Sequence, residues 1–87
     1  MAKHPWNAPA LNGLGLVEDM RGKPDAAAKW YMRAVQADPR YSDAHNNLGV
    51  ALEKLGDESG AKKAYARALA ADPKHADAAR NLARFGP

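Results

Sequence analysis

Ser42 and Ser59 are the only aliphatic hydroxyls in this 87-residue sequence, which has no threonine and no cysteine, and its imidazoles are His4, His45 and His75. A catalytic centre needs a nucleophile, a base and an orienting group brought together, and these residues share no spacing that would gather them. The three histidines also lack the short ligand spacing of a metal site. The expectation is a chain without catalytic residues, cofactor or metal, and so not an enzyme. Its usable chemistry is hydrogen bonding. Asn12, Asn46, Asn47 and Asn81 each carry a donor and an acceptor. Such an amide matches the alternating N–H and C=O groups of an extended peptide whatever that peptide's sequence.

Charge excludes further classes. Thirteen Lys and Arg against ten Asp and Glu leave a net charge of +3. The two signs are interspersed, whereas a nucleic-acid binder would gather its cations into a stripe. No run of apolar residues is long enough to span a bilayer, and Met1 to Asn7 contains no apolar segment of signal-peptide length. With no cysteine to build a disulfide framework, the expected compartment is cytoplasmic.

Any groups that bind must be positioned by helices. Alanine is the commonest residue, and glycines and prolines punctuate the chain at regular intervals. Asn7 reads as an N-cap, with Trp6 and Leu11 spaced as a hydrophobic staple. The first helix is expected from about Ala8 to Arg21, ended by Gly22, and the second opens at Pro24 and runs to about Ala37. Asp38-Pro39 stops it, Ser42 is placed to cap a third helix from Asp43 to Leu55, and Gly56-Asp57 forms the next turn. A fourth helix over Glu58–Ala71 closes at Asp72-Pro73, and a fifth covers Ala76–Phe85. Turns this short force neighbouring helices to lie antiparallel.

The punctuation recurs at an interval of 34 residues. Leu14-Gly15 returns as Leu48-Gly49, Gly22 as Gly56, Ala27 as Ala61, Tyr31 as Tyr65, Ala34 as Ala68 and Pro39 as Pro73. Asp43, Ala44, Asn47 and Leu48 return once more as Asp77, Ala78, Asn81 and Leu82. The repeats divide a single domain over 1–87 into residues 8–41, 42–75 and a partial third, 76–87. Fixed-period self-similarity of this kind makes a solenoid, in which each hairpin buries its apolar stripe against its neighbours. Within a repeat, small Gly49 and Ala61 mark a close helix crossing that Tyr65 fills, and His45 is expected to pack where repeats meet.

The ordered set Leu48, Gly49, Leu52, Ala61, Tyr65, Ala68 and Pro73, with Leu11, Leu14, Gly15, Ala27, Tyr31, Ala34 and Pro39 before it, resembles the tetratricopeptide repeat. The resemblance covers nearly the whole chain from Ala8. Glu18 departs from it, standing where Leu52 does, at what is expected to be the open end of the stack. The resemblance implies an all-α, right-handed superhelix of five antiparallel helices that acts as an interaction module, the first helix of each hairpin lining a concave groove for an extended peptide or a partner helix. It places Asn12, Asn46, Asn47, Val50, Lys54, Arg80, Asn81 and Arg84 on the groove wall as the peptide-binding set. Asn47 and Asn81, each just before its leucine, resemble the asparagine ladder in the superhelix of O-linked N-acetylglucosamine transferase. Asn12, Leu16, Asp77 and Asn81 stand where the family's carboxylate clamp carries Lys or Arg, which argues against chaperone C-termini as the ligand.

Two other readings stay open. The last helix has no hairpin behind it, so two chains could pair as a homo-oligomer through Ala79, Leu82, Ala83 and Phe85, or exchange that helix. The chain could equally be one segment of a longer array or an accessory subunit. In either reading the expected partner is protein or peptide, with no nucleic acid and no membrane.

Overall fold

The computed structural model describes residues 7–86, so the staple expected at Trp6, and His4, lie outside the described residues. Its five helices are α1 (Ala8–Met20), α2 (Pro24–Ala37), α3 (Ser42–Lys54), α4 (Glu58–Ala71) and α5 (Ala76–Ala83). Each packs on the next in sequence, giving an elongated stack of 44 × 28 × 18 Å. This is an all-helical solenoid of antiparallel hairpins.

The helix ends follow from local chemistry. Asn7 accepts the Ala10 N–H at 2.8 Å as the N-cap of α1, and Asp57 does the same for α4 from Gly60 at 2.9 Å. Gly22 and Gly56 turn the chain after α1 and α3 with φ of 75° and 86°, a conformation that a Cβ would strain. Ser42 corrects the sequence expectation: it is the first residue of α3, after an N-cap Tyr41 without a side-chain bond. Its hydroxyl donates instead to the Ala68 carbonyl near the end of α4 at 2.8 Å, beside the Asp72 N–H that this carbonyl also accepts, and so ties together the two helices of the second hairpin. Helix α5 also stops sooner than expected. Phe85 N–H bonds Leu82 O and Gly86 N–H bonds Ala83 O, tightening the chain into a turn that Gly86 completes at φ 82°.

The core rests on the large and small residues of the repeat. Tyr31 and Tyr65 are the largest fully buried side chains, each laid across a glycine of the preceding helix, Gly15 and Gly49. Ala27, Ala28 and Tyr31 of α2 meet Leu48 and Ala51 of α3 and Ala64 of α4 in one cluster, which is the contact between repeats. Leu11, Ala34 and Ala44 form a second cluster, flanked by Trp30, Val35 and Tyr41. His45 is buried at this seam as expected, its Nε2 bonded to the Pro39 carbonyl at 2.8 Å.

Candidate interaction face

The first helices of successive hairpins, α1, α3 and α5, are linked side by side by asparagine pairs. Asn47 Nδ2 donates to Asn12 Oδ1 at 3.0 Å, and Asn81 Nδ2 donates to Asn46 Oδ1 at the same distance. Both pairs span 35 residues, one repeat plus one position. Asn12 and Asn46 are 7% and 8% exposed, and Asn12 donates onward to the Tyr41 hydroxyl at 3.4 Å. Buried amides with partners of this kind join helices. The sequence reading placed Asn12 and Asn46 on an open groove wall; instead they lie beneath it, with their carbonyl oxygens already engaged. Asn47 and Asn81 are half-buried above them.

The remaining members of the predicted set divide by exposure. Lys54, Arg80 and Arg84 are exposed and Val50 is half-buried. The repeat aligns Leu16, Val50 and Arg84 in one row and Met20 with Lys54 in the next, so the row runs from apolar on α1 to cationic on α5. Leu16 is 43% and Met20 86% exposed.

Each of these cations meets a carboxylate. Lys54 Nζ lies 3.6 Å from Asp19 and Arg80 pairs with Asp77, while Arg84 forks onto Glu53 with Nη1 at 3.1 Å and Nη2 at 2.7 Å. The fork brings the matching planar groups together. Arg84 and, after it, the Tyr65 hydroxyl hold the Glu53 carboxyl below the usual carboxylate range, and the Glu53 carboxylate raises the Arg84 guanidinium.

A second pattern escaped the sequence reading. Tyr31 donates its hydroxyl to Asp19 at 2.6 Å, and Tyr65 donates to Glu53 at 2.5 Å. Burial first, and the neighbouring carboxylate second, push both phenols well above their ordinary value. The signal was present, because an acid stands 12 residues before the tyrosine in both repeats. Each tyrosine thus closes its hairpin and holds the acid that pairs with the next repeat.

Helix α5 is tied to α3 by three polar contacts, Asn81 to Asn46, Arg84 to Glu53, and His75 Nε2 to Asp43 Oδ1 at 2.8 Å. His75 also caps α5, its Nδ1 accepting the Ala78 N–H at 3.1 Å. Of the apolar side predicted to be partly covered, Leu82 and Phe85 are half-buried, Phe85 standing 6.3 Å from the Tyr65 ring, and Ala79 and Ala83 are exposed. Away from the asparagine face, a cavity of about 430 Å³ opens at the seam of α2 and α4, lined by Val35, Pro39, Arg40, His45 and Arg67 among others. No helix among the described residues is long and apolar enough to cross a membrane.

Paired antiparallel helices that repeat every 34 residues around a glycine–tyrosine crossing define the class: a helical-hairpin solenoid with a polar inner seam. Family comparisons agree, with "TPR repeat" matching residues 20–56 and "Tetratricopeptide repeat" matching residues 42–75. The chain belongs to the tetratricopeptide-repeat family. Among solved structures it resembles the crystal structure of MamA, with 26% identity and a TM-score of 0.86 over 90% of this chain. It spans 46%, about half, of the MamA chain. A search of the curated proteins finds no match. Repeats of this family are in general protein-interaction modules, and proteins built from them are typically non-catalytic scaffolds.

Proposed function

We propose that this chain is a non-catalytic interaction module that receives an extended peptide or a partner helix along the face of α1, α3 and α5. The observation that carries this reading is the graded row across three linked helices, from exposed Leu16 and Met20 through Val50 and Lys54 to Arg80 and Arg84. A segment lying across the row would set apolar side chains on α1 and acidic or hydrogen-bonding groups on α5. Asn47 retains its side-chain oxygen and one N–H for the backbone of such a segment, whereas the Asn81 oxygen is shared with Arg84 at 3.3 Å. Direct reading of a peptide backbone therefore falls mainly to Asn47, while Asn12 and Asn46 support the wall.

The test begins with affinity capture from an extract of the source cell, followed by calorimetric titration of a peptide from the captured partner. Val50→Asp and Arg80→Ala alter the row without removing a bond between helices. Each is expected to weaken binding about tenfold, the effect of about 1.4 kcal/mol. Affinity unchanged in both variants, with melting curves like that of the parent, would overturn the reading.

A further inference from the structure

The two repeats have the same design but end differently, and the difference lies on the face that leads the stack. In the second repeat this face is carried by Leu48 and Ala51 of α3 and Ala64 of α4, between 0% and 8% exposed because they meet α2. The equivalent positions of the first repeat are Leu14, Val17 and Trp30, and among the described residues no helix stands in front of them. Val17 is 49% exposed, and Leu16 and Met20 extend the apolar surface at its edge. Trp30, where the second repeat has an alanine, lines a cavity of about 320 Å³ along α2 with Asp25, Ala26, Lys29 and Arg33. An exposed apolar surface around a half-buried tryptophan is the composition of a protein contact. The trailing end is unlike it: Lys62 stands where α2 has buried Ala28, and its ammonium lies over the Phe85 ring at 5.7 Å. An apolar leading face therefore fits another leading face and not the trailing one.

Charge selects the occupant. Along the exposed stripe of α2, Asp25 lies two turns before Arg33, with Ala26 and Trp30 between them. Two such helices set antiparallel about a two-fold axis at Lys29 place each Asp25 against the Arg33 of the other copy, and the stripe is its own complement. The Lys29 pair at the axis lifts its ammonium groups into water on long apolar stems. We infer that the leading face, Val17 and Met20 of α1 with Trp30 of α2, docks a second copy of this chain in a two-fold pair closed by Asp25–Arg33 contacts. The pair meets the peptide-binding row only at Met20 and uses neither the asparagines nor α5, so Asp25 and Arg33, which lie off that row, test it separately from the peptide-binding reading.

Sedimentation of the full chain over a range of concentrations tests this, with circular dichroism to confirm that each variant folds. The expected result is a reversible dimer. Arg33→Asp should raise its dissociation constant by at least about tenfold, since like charges brought together cost more than 1.4 kcal/mol. Arg33→Asp combined with Asp25→Arg should restore it, and Met20→Lys should weaken it. Because the chain has no cysteine of its own, Lys29→Cys should yield a disulfide-linked dimer on oxidation. A parent chain that stays monomeric throughout would overturn the inference. So would a dimer indifferent to Arg33→Asp, a charge swap that fails to restore pairing, or a Lys29→Cys chain that does not cross-link.

Discussion

Replacing Gly49 by alanine isolates the contact on which the repeat depends. An alanine in mid-helix is worth about 1 kcal/mol over glycine, so propensity alone predicts a gain. The structure reverses the sign. A Cβ on Gly49 would lie 2.5 Å from Cε1 and 2.7 Å from Cδ1 of Tyr65. Carbon atoms in good contact sit about 3.5–4.0 Å apart, so the ring would have to retreat by about 1 Å. It has little room to do so, being fully buried with its hydroxyl held by Glu53. Overpacking costs about 1–3 kcal/mol, and with three ring atoms closer than 3.0 Å the upper part of that range applies, about 2–3 kcal/mol, leaving a net loss of about 1–2 kcal/mol after the propensity gain. Gly13→Ala is the control: it is also helical, and its Cβ would meet nothing within 4 Å. There the gain should survive, at about 0.5–1 kcal/mol. For a domain of this size each kcal/mol moves the midpoint by about 4–8 °C. Thermal melts followed by circular dichroism should therefore show Gly49→Ala below the parent and Gly13→Ala above it. Adding Tyr65→Leu should make the Gly49→Ala penalty much smaller, because the two positions are in contact. Equal shifts for the two glycines, or a Gly49→Ala chain as stable as the parent, would refute the account of the crossing.

The polar seam gives three further expectations. Asn46→Ala leaves the Asn81 amide without its buried acceptor and should cost about 1–2 kcal/mol, with amide hydrogen exchange rising first in α5. Because Glu53 has its pKa lowered in the fold, its contribution is present above about 4.5 and is lost as pH falls through the lower folded value; Glu53→Gln should flatten the fall in melting temperature over that acid range. Tyr31 and Tyr65 have raised pKa values, so their contribution is intact below about 10 and lost as pH climbs above it. An alkaline titration by ultraviolet absorbance should find these two phenols ionising only as the chain unfolds, and early ionisation with the helices intact would contradict their burial.

The helices were legible because glycine and proline act locally. Gly22, Gly56 and the two Asp-Pro pairs mark their turns by backbone geometry that needs no tertiary contact. The Gly49–Tyr65 crossing was legible too, since the repeat shows a small residue and a large one held in the same relation twice. Less readable were features in which a side chain chose between partners. Ser42 has the form of an N-cap, yet the end of α4 stands close enough to take its hydroxyl. His75 lacks the usual capping oxygen, and only the position of Asp43 fixes which of its nitrogens faces the helix. Asparagine is ordinarily a surface residue, so Asn12 and Asn46 were read as open. Their burial could have been inferred from the spacing of 35, which pairs Asn12 with Asn47 and Asn46 with Asn81. Knowing that α1, α3 and α5 lie adjacent would have been the missing step.

The asparagine pairs have a direction, and the direction has a consequence for size. In each pair the later helix supplies the N–H and the earlier one the oxygen. Gly13 holds the giving position on α1 and has no side chain to extend backwards; Arg80 holds the receiving position on α5 and has no oxygen to offer forwards. The zipper thus opens at one end with a missing tooth and shuts at the other with a tooth of the wrong kind. A further hairpin grafted at either end would find no amide to lock its register. Lengthening this protein by design would call for Gly13→Asn at the front and Arg80→Asn at the back before any new repeat is added.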